Sequence, residues 1–270
     1  DRFASFSRSP EGLLYRLYSV NTNEPTYWAI NGCKNLFWIL GLWKSGLQKS
    51  AEDMLQCLLS SDLYQDGLLH RQIEPDGSLN PLIITHTNLV FAHICISLGH
   101  VSLAQQVCEL LERKNFRSGF FLAWENDGCG ALYRDDVVSI LATVPEFFVD
   151  DQALAVSLYS RLRLFEKANA LMQGLLDSAL YDSEIGLFYS SLSLKGKVLD
   201  IFSTYKNAFC AMALEGVGMQ KEAEKLCDSM RKFLKVSGTY VLANTDHRIL
   251  VDSAVLGCLV EENKGASLWS

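Results

Sequence analysis

What most constrains this chain is a cycle that repeats along it. An apolar helical segment is followed by an amphipathic one, then by a short β-prone segment opened by glycine. The apolar segments are read as Tyr27–Trp43, Thr87–Leu98, Asp151–Leu162, Thr204–Gly216 and Ile249–Val260. Apolar residues occupy most of their faces, which predicts burial on all sides. The amphipathic partners are read as Ser50–Ser60, Leu103–Lys114, Glu166–Leu176 and Gln220–Leu234. In the last of these, Ala223, Leu226, Met230, Phe233 and Leu234 keep helical spacing with Lys and Glu between them. Ala51, Ala104, Ala168 and Ala223 open the partners at intervals of 53, 64 and 55 residues. The glycine-led segments begin at Gly67, Gly119, Gly186 and Gly238, each followed by β-formers.

This order predicts an all-α chain: an (α/α) toroid or barrel of five to six helical hairpins with short β-hairpin segments between them. Residues 1–270 are expected to form a single domain. A sixth hairpin needs a weak helix at Pro10–Val20. An open solenoid of the tetratricopeptide type is the alternative, but its repeats are shorter, at about 34 residues, and carry no strands. In a toroid the loops entering the inner helices gather at one end, so those entries are where functional residues are sought.

Composition narrows the partners. Hydrophobic residues make up 49% of the 270, so the chain is not disordered. The net charge is −7 and no Lys/Arg-rich run occurs, which argues against a nucleic-acid partner. No apolar stretch approaches the roughly 18 residues of a membrane span. The eight cysteines, Cys33, Cys57, Cys95, Cys108, Cys129, Cys210, Cys227 and Cys258, form no CxxC pair and read mainly as buried free thiols. No metal site and no cofactor are expected: Walker, GxGxxG, HExxH and GxSxG motifs are absent. A small-molecule partner and a cytoplasmic setting are expected, with homo-oligomerisation left open.

The inner-helix entries read TYWAIN, THTNLV, VDDQALA, STYKNAF and RILVDSA. Asp, Asn and Thr there suit helix caps, so Asp150 or Asp151, Thr204 and Asp252 each have a structural reading. Capping does not account for His86 and Tyr205 at matching positions. A neutral histidine at a helix start is suited to acid–base work near pH 7, while a packed core histidine is the plain alternative. His93 reads as core. Glu125, in Trp124-Glu125-Asn126-Asp127-Gly128, reads either as a turn carboxylate or as a proton donor raised by Trp124 and an apolar cavity. Asp150 and Asp151 are adjacent carboxylates, and like charges raise a pKa toward general-acid use. The candidate catalytic set is His86, Glu125, Asp150, Asp151 and Tyr205. The candidate substrate-binding set is Tyr27, Trp28, Asn31, Asn88, Trp124, Tyr189, Asn207 and Asp252.

The succession THTNLV, WENDG, DDQALA, GLFYSS, STYKNAF resembles the linalool dehydratase/isomerase family over about Tyr27 to Val260. That resemblance implies an α/α barrel acting without a cofactor on monoterpene alcohols. It places His86 at the family's catalytic histidine, Glu125 near an acid beside the substrate and Tyr205 at a substrate-facing tyrosine. The family's pocket cysteines are replaced here by Trp124 and by Asp150 or Asp151. The helix-start histidine also resembles that of the N-acylglucosamine 2-epimerase and cellobiose epimerase toroids, which use several histidines. This chain has His70, His86, His93, His100 and His247.

Three functions fit these residues. The first is a cofactor-free acid–base lyase, isomerase or cyclase acting on a small, largely apolar, terpenoid-like substrate. The second is a carbohydrate-active epimerase or glycoside hydrolase. The third is a non-catalytic helical-repeat scaffold. Convergence of acid, base and tyrosine side chains would favour the enzymes, and a scattered arrangement would favour the scaffold.

Overall fold

Glycine-opened β-hairpins and paired helices alternate along the chain, as the repeat predicts. The computed structural model describes residues 8–18, 24–123, 146–237, 239–241 and 243. These hold eight helices in four consecutive pairs: α1 (Gly32–Lys44) with α2 (Gln48–Leu59), α3 (Thr85–Ser97) with α4 (Val101–Asn115), α5 (Val149–Arg161) with α6 (Phe165–Leu176), and α7 (Thr204–Gly216) with α8 (Gln220–Phe233). The chain divides into two compact units, Asp1–Lys114 and Asn115–Ser270. No helix among the described residues is long and apolar enough to cross a membrane.

Burial separates the two helices of a pair. Ten of the 13 residues of α3 and ten of the 13 of α5 are buried, against five of the 14 of α8. The first helix of a pair is thus enclosed, and the second buries one stripe. Helix α1 departs from this: only five of its 13 residues are buried, and Phe37 is exposed. It also begins five residues later than its apolar text suggests. Tyr27 lies in β2 (Pro25–Tyr27) and Ile30 in β3 (Ile30–Asn31). The expected weak helix at Pro10–Val20 is not helical over its described residues, which form a turn and β1 (Leu17–Tyr18). The expected helix Ile249–Val260 lies outside the described residues.

Within each pair the link is three residues long and closed by the same bonds. The N–H groups of Gly46, Gly99, Arg163 and Gly218 reach Trp43, Ile96, Ser160 and Glu215 carbonyls. The next residues, Leu47, His100, Leu164 and Met219, reach back to Leu42, Cys95, Tyr159 and Leu214. This double closure is a Schellman motif, and its first residue takes a left-handed backbone, with φ of 77°, 89°, 61° and 78°. Ala51, Ala104, Ala168 and Ala223 then donate the following bond to Leu47, His100, Leu164 and Met219, and all four are buried. A small residue suits that crowded first turn, which is why alanine marks the repeat.

The strands are short, and among the described residues none builds a barrel sheet. The glycine-led segments are hairpins: β4 (Tyr64–Gln65) with β5 (Leu68–Ile73), β7 (Phe116–Arg117) with β8 (Phe120–Phe121), β10 (Tyr181–Asp182) with β11 (Leu187–Phe188), and β14 (Lys235–Val236) with β15 (Thr239–Tyr240). Asp66-Gly67 and Ser118-Gly119 both have two successive positive φ values, the signature of a type I′ turn. A longer strand pair, β5 with β6 (Leu79–Ile83), leads into α3. In the second unit, β12 (Ser191–Ser193) pairs with both β13 (Val198–Leu199) and β9 (Glu146–Phe148).

Each leading helix is tied to the segment that precedes it by one amide side chain. The fourth residue of α1, α3, α5 and α7 is Asn35, Asn88, Gln152 and Asn207. Its carbonyl oxygen accepts from the backbone N–H of Leu14, Leu69, Phe121 and Phe188, each at 2.8 Å. Its NH2 group donates to the carbonyl of that same residue at 2.7–3.0 Å. It donates again to the carbonyl four positions back at 3.0–3.1 Å. The amide thus completes a strand-like pair in a place where unpaired backbone groups would be costly.

Candidate active site

The amide tie fixes the register of the residues just before it. Counted from the start of each leading helix, position two is Cys33, His86, Asp150 and Tyr205. Position three is Lys34, Thr87, Asp151 and Lys206. His86 and Tyr205 therefore do occupy matching positions. None of these residues is an N-cap. The caps are Asn31, Ile84, Phe148 and Ser203, and only Asn31 bonds through its side chain, accepting from the Lys34 N–H at 3.1 Å. Capping therefore does not account for Asp150 and Asp151, nor for Thr204, whose hydroxyl donates to the Val241 carbonyl.

In the second unit, positions two and three of α5 and α7 form one cluster. The Lys206 ammonium donates to Asp150 Oδ1 at 2.7 Å and to the Ser190 carbonyl at 3.4 Å. It also lies 4.2 Å from the centre of the Phe148 ring and 5.7 Å from that of Tyr205. Asp150, Asp151 and Lys206 are 5%, 1% and 8% exposed, so the ion pair is largely withdrawn from water. Burial alone would lower the Lys206 pKa, but Asp150, with Tyr205 and Asp151, outweighs it and holds the ammonium above its ordinary value. Burial and the Asp150 charge push the Tyr205 phenol well up, with Lys206 opposing, so it stays a neutral donor. Burial likewise lifts the Cys210 thiol, one turn along α7.

Lys206 is not among the residues that the sequence singles out. The signal is nonetheless there: a lysine inside TYKNAFCAMAL, a segment expected to be buried on all sides, needs a buried anion. The like-charge repulsion expected to raise Asp150 and Asp151 meets this counter-charge instead.

Asn88 and Asn207, expected to bind substrate, are fully buried and committed to the amide ties, so their place is in the scaffold. Asn31 caps α1. Tyr189 stacks on Phe202 with ring centres 4.6 Å apart, and its hydroxyl donates to Asp182 Oδ2 at 2.9 Å. Asp182 also accepts the Glu184 and Ile185 N–H groups, which shapes the turn. The hydroxyl bond to Asp182 raises the Tyr189 pKa, with burial adding to it. Tyr27 is half-buried under the Arg16 guanidinium. Trp28 is 55% exposed, edge-on to Tyr15 at 4.9 Å. His86 is half-buried on α3 and His93 fully buried there. Glu125, Trp124 and Asp252 lie outside the described residues. Among the described residues no cysteine is in a disulfide, and Cys95, Cys108, Cys210 and Cys227 are buried.

No protein-family model matches the chain, and no curated protein sequence does. Solved structures do. A D-mannose isomerase aligns with a TM-score of 0.74 at 14% identity, over 95% of this chain and 77% of its own. A cellobiose 2-epimerase from Bacillus thermoamylovorans aligns at 0.72 and 11% identity, over 98% and 79%. The endo-β-1,4-glucanase CMCax from Acetobacter xylinum aligns at 0.61 and 11%, over 98% and 95%. These likenesses establish the (α/α) toroid fold, and the short strands lie between the helical pairs as expected. They agree with the epimerase half of the sequence resemblance and do not show the linalool dehydratase-like family.

Proposed function

We propose that this chain is an enzyme that moves protons on a neutral sugar, as an isomerase or epimerase, with its own side chains as acid and base. The observation that carries this reading is the buried Asp150–Lys206 pair beside Asp151 and Tyr205. Support comes from the fold, which sugar isomerases and epimerases share, although fold by itself does not fix chemistry.

The chemistry asks for a base near a C–H bond next to a carbonyl, and a donor near that carbonyl oxygen. The Asp150 carboxylate removes the proton at C2, while the Tyr205 hydroxyl donates a hydrogen bond to the oxygen that gains electron density. The resulting enediolate is protonated again, on C1 for isomerisation or on the other face of C2 for epimerisation. His86 stands at the same register in its own unit, on α3, and is a further proton-transfer candidate in this reading.

Isomerisation is favoured over hydrolysis on a specific ground. A glycosidase places two carboxyl groups on either side of the scissile bond, about 5–9.5 Å apart. Asp150 and Asp151 are neighbours on one helical turn. A largely apolar terpenoid substrate fits less well with three ionisable groups buried together.

The test is proton NMR in D2O with D-mannose, D-fructose and cellobiose. The expected outcome is loss of the C2 proton signal with growth of an isomer. Asp150→Asn should slow exchange by about 100- to 10,000-fold, the usual range for a lost general base. Turnover of a monoterpene alcohol with no sugar exchange would restore the terpenoid reading. Release of reducing ends from carboxymethylcellulose would point to hydrolysis.

A further inference from the structure

We propose that Lys206 is a positioning residue: it holds Asp150 as the carboxylate base and remains as the counter-charge when Asp150 takes a proton from substrate. This rests on the reading of the site as one that moves protons on a sugar carbon.

A buried ion pair is a poor device for stability, because each ion gives up hydration that mutual attraction only partly restores. An apolar pair of similar volume would hold α5 to α7 as well. The pair is also placed with care. Asp150 lies two residues before the Gln152 tie and Lys206 one before the Asn207 tie, so the backbones carrying both groups are pinned to the hairpins. The Lys206 ammonium then meets Asp150 Oδ1 at 2.7 Å, with the Ser190 carbonyl and the Phe148 ring face on its remaining sides.

Charge conservation gives the pair its use. Before reaction Asp150 is a carboxylate, Lys206 an ammonium and the sugar neutral, and Asp151 is unchanged throughout. When the C–H bond breaks, its proton goes to Asp150 and its electron pair to the substrate, which becomes an enediolate. Asp150 is then a neutral carboxylic acid, Lys206 the same ammonium and the substrate an anion. No net charge is created in a poorly hydrated site, and Lys206 turns from serving Asp150 to serving the substrate oxygen. An interaction that strengthens as charge develops lowers the barrier. Schiff-base chemistry is disfavoured, because a nucleophilic amine must be neutral and the adjacent carboxylate favours the ammonium. Among the described residues of this unit, the other titratable groups facing the pair are Asp151 on α5 and Tyr205 and Cys210 on α7.

The test uses the full chain as wild type, Lys206→Met and Lys206→Arg, with Asp150 followed by carboxyl carbon-13 NMR across pH 3–9. Lys206→Met should move the Asp150 titration upward by about two units or more, and Lys206→Arg should return most of the shift. A folded Lys206→Met protein whose Asp150 titrates within about half a unit of wild type overturns the proposal. On any sugar that wild type exchanges, Lys206→Met should lower kcat roughly 100-fold with KM within about threefold. Wild-type rates in a folded Lys206→Met protein also overturn it. If wild type exchanges no sugar, the sugar reading fails, while the titration still decides whether Lys206 keeps Asp150 ionised.

Discussion

Asn207 shows how a residue can be found by sequence and still be assigned the wrong task. Its place at a helix entry makes it a candidate ligand for substrate, yet its three amide bonds go to Phe188 and Ser203. Pattern alone does not separate the two roles, because a polar residue near an inner-helix start fits both. Repetition does: Asn35, Asn88, Gln152 and Asn207 all carry an amide at one register, and scaffolding repeats where chemistry varies. Asn207→Leu keeps the size and removes the bonds, leaving buried backbone groups unpaired at about 1–3 kcal/mol each. A loss of about 3–5 kcal/mol in urea unfolding is expected. A change below about 1 kcal/mol would show that the tie is not structural. Lys206 escapes a reading by sequence for the opposite reason. Lysine is usually solvated, and only the burial of its whole helix marks it as paired.

At the scale of elements, the helices are legible in the sequence and the strand joints less so. The 3.6-residue pattern locates α3, α5 and α7 within two residues, and the alanine marker locates the following helices. Helix α1 is overextended by that pattern because Tyr27 to Ile30 is as apolar as the helix it precedes, and an apolar run does not tell strand from helix. The links inside each pair offer a direct check on the Schellman geometry. Three of the four left-handed positions are glycine, and the fourth is the exposed Arg163 at φ 61°. A side chain there strains the backbone, so Arg163→Gly should stabilise the protein by about 0.5–1 kcal/mol. Thermal unfolding measures it, and a destabilised variant would mean that the Arg163 side chain holds a contact worth more than the strain.

For the whole molecule, the enclosed helices leave a signature in alkaline solution. Burial holds the Cys95 and Cys210 thiols well above the ordinary 9.0, and moves Cys227 up to about 11. A raised pKa means that the folded state keeps its proton after the unfolded chain has lost it. Stability is therefore full below about pH 9 and falls as pH rises. Between pH 9 and 10 the loss is about 1 kcal/mol for each of Cys95 and Cys210. Tyr205, raised from 10.0, acts in the same direction at higher pH. So does Lys206, raised from 10.5, whose charged form is favoured by the fold and lost as pH rises further. Urea unfolding under reductant at pH 8, 9 and 10 checks this, and a midpoint unchanged through pH 10 would show that the thiols are not enclosed. The repeat order is the most legible feature of all, since it is written in periodicity; the cluster of charges is not, since it joins residues 56 positions apart.

The amide tie has a consequence for how such a chain can change over generations. Folding instructions sit at the fourth position of each leading helix, and other polar or ionisable side chains sit at the second and third. Cys33 and Lys34, His86 and Thr87, Asp150 and Asp151, Tyr205 and Lys206 occupy equivalent seats. The second seat holds four different side chains, and the third holds lysine twice with threonine and aspartate between. A chain built this way can exchange the side chains in those seats while the neighbouring amides keep each helix and hairpin in register.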